Sequence, residues 1–147
     1  MQPKCVVFLD TSALLSGLNS TLGASALIIA LFKLHHIQLI ISPDVIEEAN
    51  EAIVEKFPLL ESGMRDFLLS KPSLVKPSLP QVQAAYATIG SSDAPILAGA
   101  IFAKAPFLVT LDKKFIQLVS KKIPHCATRL LLPSEFAQWY RKEFQLN

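Results

Sequence analysis

The sequence has few cysteines and no long hydrophobic run. Cys5 and Cys126 are its two cysteines; they lie far apart and form neither a CxxC pair nor a set with histidine, so we expect both to be reduced. The longest apolar stretch, residues 24–34, is interrupted by Lys33 and is too short for a membrane span of about 20 residues. No positively charged start leads into an apolar segment, as a secretory signal would require. We therefore expect a cytoplasmic protein without a membrane-spanning segment.

Several motifs that would indicate other functions are also absent. Neither GxxxxGK[ST] nor GxGxxG occurs, which gives no support to a glycine-rich nucleotide loop. The three histidines, His35, His36 and His125, lack the spacing of zinc ligands. A haloacid-dehalogenase-type phosphatase would need an acid where Ser12 stands. A receiver domain would need a second acid near the first strand and a lone lysine late in the chain, and neither is clear.

The composition is that of a folded domain. Of the 147 residues, 51% are hydrophobic and 18% are charged, which excludes intrinsic disorder. A chain of this length can bury about 70% of its unfolded surface without a disulfide or a metal. No repeat, linker or low-complexity tract divides it, so we expect one domain over residues 1–147.

Short apolar runs alternate with helical periodicity along the chain. Strand-like runs occupy residues 5–9, 37–41 and 107–111, with weaker ones at 73–76 and 130–132. This alternation predicts an α/β fold with three α/β/α layers around a parallel sheet of four to five strands. Thr11 or Ser12 is expected to cap the first helix, Ser42 with Pro43 the helix after the second strand, and Ser134 the last helix. Residues 58–70 are predicted to form one helix.

A few acids stand at positions that the fold would bring together. Asp10 and Asp112 each end an apolar strand, Asp93 begins a small-residue helix, and Glu47 and Glu48 lie one turn into the helix after the second strand. Ligands of parallel sheets bind beyond the carboxyl ends of the strands. Clustered carboxylates repel unless a cation offsets them, and oxygen ligands suit Mg²⁺ or Mn²⁺. Helix capping and a solvated helix face are the structural alternatives.

Four segments that contain these acids resemble the signature blocks of PIN-domain proteins. They appear in the family's order and at its separations, and the resemblance covers about residues 4–120. The segments are FLDTSAL at 8–14, ISPDVIEE at 41–48, DAPILAGA at 93–100 and LVTLD at 108–112.

This resemblance implies a PIN-like fold and a metal-dependent ribonuclease of the kind found as the toxin of toxin–antitoxin pairs. It implies an antitoxin partner and a catalytic set that binds Mg²⁺ or Mn²⁺; the residues are Asp10, Glu48, Asp93 and Asp112. Ser12 and Thr110 match positions whose hydroxyls orient that set. The family often has Gly or Asn before the last aspartate and an acid two residues after it, where this chain has Leu111 and Lys114. The alternative is a catalytically weak or inactive PIN-like module that binds RNA or protein.

Positive charge is concentrated in the last third of the chain. Residues 1–103 carry a net charge of −3, whereas residues 104–147 carry +5. Lys113 and Lys114 directly follow Asp112, so we predict that they bind RNA phosphates beside the acids. A solvated helix face would show the same pattern.

The apolar content predicts association. Leu27, Ile28, Leu31 and Phe32 on one helix, and Trp139, Tyr140 and Phe144 near the end of the chain, exceed what one small core needs. We therefore expect a two-fold homodimer, and the family resemblance implies the same.

Overall fold

The structure, a computed structural model, describes residues 5–144 and contains five parallel strands. β1 (Val6–Leu9) pairs with β2 (Gln38–Ile41) on one side and with β4 (Phe107–Val109) on the other. β3 (Ser73–Leu74) and β5 (Arg129–Leu131) form the two edges, giving the order β3-β2-β1-β4-β5. β1 is central and its Val7, Phe8 and Leu9 are fully buried, which explains why its sequence is a continuous apolar run.

Eight helices flank the sheet in the described part of the chain and complete the predicted three-layer α/β/α arrangement. They are α1 (Thr11–Asn19), α2 (Ala24–Lys33), α3 (Pro43–Glu55), α4 (Glu61–Leu69), α5 (Leu79–Ile89), α6 (Ala94–Phe102), α7 (Lys113–Lys122) and α8 (Pro133–Glu143). No single helix among residues 5–144 has the length and hydropathy to span a membrane, although α1 and α2, bent by 89° to each other, would have both if taken together.

Three local predictions were wrong. Asp10, rather than Thr11 or Ser12, occupies the N-cap of α1 and accepts a hydrogen bond from the Thr11 amide. The last helix begins at Pro133 with Leu132 at its N-cap, so Ser134 lies inside the first turn. The single helix predicted over residues 58–70 is divided in the structure: Pro58–Leu60 form a short 3₁₀ helix, and the α-helix α4 begins at Glu61. The prediction for α3 is confirmed, since Ser42 Oγ accepts from the Val45 amide and Pro43 follows.

The small residues of α6 let this helix approach the sheet closely. A Cβ atom at Gly99 would lie 3.2 Å from Cζ of Phe8 on β1, so the missing side chain makes room for the central strand. Beyond β4, an aromatic cluster attaches α8 to the sheet: the ring centroids of Phe107 and Phe136 lie 5.6 Å apart, and those of Phe107 and Trp139 lie 4.6 Å apart.

The apolar residues that motivated the homodimer prediction are used within one chain. Ile28, Leu31, Phe32 and Tyr140 are buried, and Leu27, Trp139 and Phe144 are partly buried against the same core. These residues complete the monomer, so they no longer support a dimer.

The contact between α1 and α2 depends on Gly17. A Cβ atom at this position would lie 2.5 Å from Cδ1 of Ile29 and 2.9 Å from the Ser25 carbonyl oxygen. We expect Gly17→Ala to lower the free energy of unfolding by about 1–3 kcal/mol because the two helices must separate. Urea unfolding measures it. Gly63→Ala is the control, since its Cβ would meet only Cδ2 of Leu18 at 3.9 Å and should be neutral or slightly stabilising; equal losses in both variants would contradict the expectation.

Candidate metal and nucleic-acid site

Asp10 lies at the centre of the carboxyl edge of the sheet. It follows β1, and its amide donates to the Val109 carbonyl at 3.0 Å, which extends the pairing of β1 with β4. Its side chain is 7% exposed. The Thr11 amide donates to Oδ1 at 2.7 Å and the Thr110 hydroxyl donates to Oδ2 at 2.8 Å, so both carboxylate oxygens are oriented.

The charge on Asp10 is costly in this position. Burial raises the pKa of its carboxyl to about 6, although the hydrogen bonds from Thr110 and Thr11 act in the opposite direction. Repulsion from Asp93 and Glu48 adds to the rise. The Asp10 carboxylate is therefore ionised at neutral pH against the preference of its surroundings.

Glu48 reaches the same edge from α3. The Thr11 hydroxyl donates to its Oε2 at 3.2 Å. Its pKa is raised by partial burial first, and also by repulsion from Asp44, Asp93 and Glu51. Glu47 and Glu48 are both exposed, but Glu47 makes no hydrogen bond to the part of the chain that the structure describes. The structure thus brings Glu48, and not Glu47, to Asp10.

Asp93 stands at the N-cap of α6 without capping it. Its Oδ2 accepts from the Ser91 hydroxyl at 3.1 Å. Burial is the first cause of its raised pKa, and repulsion from Asp112 is the second. Asp93 is therefore electrostatically coupled to Asp10, Glu48 and Asp112.

Asp112 is positioned by a network of hydroxyl groups. Its Oδ1 caps α7 by accepting from the Phe115 amide at 3.1 Å, and its own amide donates to Thr110 Oγ1 at 3.1 Å. Ser12 Oγ lies 3.4 Å from Thr110 Oγ1 and accepts from the Leu111 amide at 3.0 Å. Because the Thr110 proton is directed at Asp10, the Ser12 hydroxyl donates to Thr110. Ser12 and Thr110 thus connect the ends of β1 and β4.

The four carboxylates have no cationic partner in residues 5–144. Within these residues the ion pairs are Lys33–Asp66 and Arg65–Glu61, both of them outside the cluster. Lys113 and Lys114, which follow Asp112, are exposed. No hydrogen bond or ion pair engages either lysine in the described structure.

The oxygen donors fit a hard divalent cation by their chemistry. Each carboxylate is electrostatically coupled to at least one other, which is the repulsion that a cation would remove. Across residues 5–144, however, no group of three or more acid, histidine or cysteine side chains is already arranged to hold a metal ion. The carboxylate oxygens would have to move closer together on binding one.

Residues 6–114 match the sequence model of the PIN domain. The chain belongs to the PIN domain family. PIN domains are in general nucleases that use divalent metal ions. The family resemblance of the four acidic segments is thereby confirmed, while the individual roles of the acids stay predictions. No curated protein matches the chain.

Solved structures share the PIN fold. The crystal structure of PAE2754 from Pyrobaculum aerophilum is 20% identical, covers 78% of this chain and 84% of its own, and superposes with a TM-score of 0.60. The crystal structure of VapBC2 from Rickettsia felis bound to a promoter DNA fragment contains a chain that is 21% identical. The match covers 86% of this chain and 98% of that chain, with a TM-score of 0.61. The structure of VapBC-1 from nontypeable Haemophilus influenzae contains a chain that is 16% identical. The match covers 88% of this chain and 98% of that chain, with a TM-score of 0.59.

Reasoning from the sequence did not identify two residues that contact the acidic cluster. Thr11 was considered only as a helix cap, but its amide and its hydroxyl bind two different acids, Asp10 and Glu48. Ser91 orients Asp93. For both residues the available signal was a hydroxyl residue within two positions of a site aspartate.

The pKa of Asp10 predicts how the metal-free protein responds to pH. Its folded value of about 6 exceeds the unfolded value of about 3.9, so between these values the folded state binds more protons. The free energy of unfolding should fall as pH rises from about 4 to 6, by up to about 3 kcal/mol from this group. Asp10→Asn should remove that part of the decrease and stabilise the protein at pH 7. Urea unfolding in EDTA at several pH values measures this.

Glu47→Gln is the control for that experiment, because it neutralises an exposed carboxylate outside the cluster. Its pH dependence should match that of the wild type. A less stable Asp10→Asn protein at pH 7 would contradict the expectation, because asparagine can still accept the capping hydrogen bond from the Thr11 amide.

Proposed function

We propose that this PIN domain is an endoribonuclease that depends on Mg²⁺ or Mn²⁺. The observation that carries the proposal is the convergence of Asp10, Glu48, Asp93 and Asp112 at one edge of the sheet, with raised pKa values for the first three. Keeping mutually repelling carboxylates together costs stability, and a cation that binds them would repay that cost.

In this proposal the four carboxylates hold the metal. When bound, such an ion lowers the pKa of a water molecule and offsets the negative charge of the scissile phosphate. Thr110 and the Thr11 amide fix the two oxygens of Asp10, while the Thr11 hydroxyl fixes one oxygen of Glu48. Ser12 keeps Thr110 in place. Lys113 and Lys114 attract the RNA phosphates.

The cleavage proposal is tested on a mixed pool of single-stranded RNA with Mg²⁺, Mn²⁺ or EDTA. The wild type should cleave only with a metal. Asp10→Asn and Glu48→Gln should each lower the cleavage rate by roughly 100-fold or more. This loss is larger than the roughly 10–100-fold that is typical when a residue that only orients a metal ligand is replaced.

Glu47→Gln is the matched control, since it alters the adjacent and exposed glutamate by the same chemistry. It should retain cleavage. Metal-independent RNA binding without cleavage by any form would instead favour the alternative, an inactive PIN-like module that binds RNA or a protein.

Thr11 serves this proposal as a positioning residue for Glu48. Thr11→Val should weaken Mn²⁺ binding by roughly 10–100-fold, as is typical of residues that orient a ligand, and Thr11→Ser should restore it. Titration calorimetry with Mn²⁺ measures the affinity without reference to activity. Equal affinity in Thr11→Val and Thr11→Ser would contradict the positioning role.

We further propose that the protein acts in the cytoplasm as the toxin of a toxin–antitoxin pair, with an antitoxin protein as its partner. The similarity of its fold to chains of two VapBC structures supports this proposal. Expression of the wild type in a bacterial host should arrest growth, whereas Asp10→Asn should not. Growth curves at matched protein levels decide it, and unimpeded growth with the wild type would contradict a toxin.

A further inference from the structure

A groove beside the acidic cluster is built from the ends of four helices. Its volume is about 350 Å³. It lies between the end of α1, the starts of α2 and α8, and the start of α7. The residues used below are Ser16, Ser25, Leu111, Lys113, Pro133 and Ser134, all of which line it.

Two helices begin at this groove. α2 follows Gly23, which has φ of 103° and provides no side-chain cap, so the first amides of α2 have no partner within the helix. α8 starts at Pro133, and the Leu132 amide is already taken by the Glu135 carboxylate at 2.9 Å. Since Pro133 has no N–H, the Ser134 amide and hydroxyl are the donors of this helix start that remain available to a ligand. Both helices direct the positive ends of their dipoles to the groove, a geometry that favours an anion.

Ser25 is a separate indication of a ligand. It is 7% exposed, and its hydroxyl has no hydrogen-bond partner within residues 5–144. No fully buried side-chain oxygen or nitrogen in that range lacks a partner, so the Ser25 oxygen retains contact with solvent. Ser25 lines the groove, and its hydroxyl therefore opens into it. A nearly buried donor without a protein partner is expected to bind a ligand or water.

The groove also has a cation and a connection to the acids. Lys113 lines it and is the residue after Asp112. Leu111, the residue before Asp112, lines it as well, and its amide is bonded to Ser12. Ser16 lies one turn along α1 from Ser12. The groove is therefore adjacent to the edge of the sheet at which the carboxylates converge.

We propose that this groove binds a backbone phosphate of the RNA strand, next to the phosphate that the acidic site cleaves. The amides of α2, the hydroxyls of Ser25 and Ser134, and the ammonium group of Lys113 supply hydrogen-bond donors around one anion. This inference rests on the proposed function, since it assigns a subsite to the same substrate. The site reads no base, so it contributes affinity and register rather than sequence specificity.

Fluorescence anisotropy with a 2′-O-methyl RNA oligonucleotide in EDTA tests the proposal, because this probe cannot be cleaved. A set of probes replaces one phosphate at a time by an uncharged methylphosphonate. We compare the wild type, Ser25→Ala, Lys113→Ala and Lys122→Ala. Lys122 is the matched control: it is an exposed lysine at the far end of α7. Thermal melting verifies that each variant is folded.

We expect Ser25→Ala and Lys113→Ala to bind the all-phosphate probe more weakly by roughly tenfold or more, as for the loss of one hydrogen bond to a charged group. At one linkage, replacing the phosphate by a methylphosphonate should weaken binding to the wild type by about tenfold. The same replacement should have almost no further effect on binding to Ser25→Ala. Such non-additivity identifies the phosphate that the residue contacts. Lys113→Ala should also lower the slope of log affinity against log salt by about 0.7, the value for one phosphate contact on a single strand. Lys122→Ala should behave as the wild type at every linkage.

Strictly additive effects of Ser25→Ala and of every methylphosphonate would overturn the subsite. Cleavage of unmodified RNA with Mn²⁺ is measured in parallel for the same proteins. Cleavage without coupling at Ser25 would remove the subsite and leave the nuclease function standing. Coupling without cleavage would leave the subsite and remove the nuclease function.

Discussion

The parallel pairing of β1 with β4 is the constraint on which the rest of the site depends. The register Leu9 with Val109 is continued by the Asp10 amide, which donates to Val109. This places Thr110 beside Asp10 and lets a hydroxyl fully buried within the fold orient a buried carboxylate. A change of register by one residue would send these side chains to the other face of the sheet. The site therefore requires the strands to be paired as they are.

The cluster of carboxylates is a feature that stability alone would not favour. Burial raises the pKa of Asp10, Glu48 and Asp93, so their ionised forms are destabilised in the folded protein. Perturbed carboxyl groups at the ligand-binding edge of a parallel sheet are typical of functional sites. The fully buried core under them, in particular Phe8 and Leu108, supplies the stability that offsets this cost.

The acidic cluster and the groove are connected by the short segment around Asp112. Asp112 belongs to the acidic cluster, while Leu111 and Lys113 on either side of it line the groove at the starts of α2 and α8. An acidic centre suits a cation and the adjacent helix N-termini suit anions. This alternation suits the proposed substrate, a polyanion that is cut with the help of a metal, and the groove proposal rests on that substrate.

The order of strands and helices along the chain and the class of fold followed from the sequence, because apolar runs and helical periodicity indicate which segments are buried. The same reasoning placed Asp10 and Asp112 at one edge, since both end strands of a parallel sheet. The family followed from the resemblance of the four acidic segments, which the family model confirms. Periodicity could not separate Glu47 from Glu48, which are adjacent on one helix, and the family resemblance selected Glu48. The packing of α3 against α1 brings the Glu48 carboxylate to the Thr11 hydroxyl.

Only the tertiary structure showed where the apolar side chains behind the dimer prediction are buried. Ile28, Phe32 and Tyr140 entered the monomer core, a result that composition cannot distinguish from an interface because both bury the same side chains. The caps of α1 and α8 were likewise set by where the strands end and not by the nearest hydroxyl residue. The groove around Ser25 was invisible in the sequence, since its walls come from residues more than 100 positions apart, and only the folded chain brings those helix ends together.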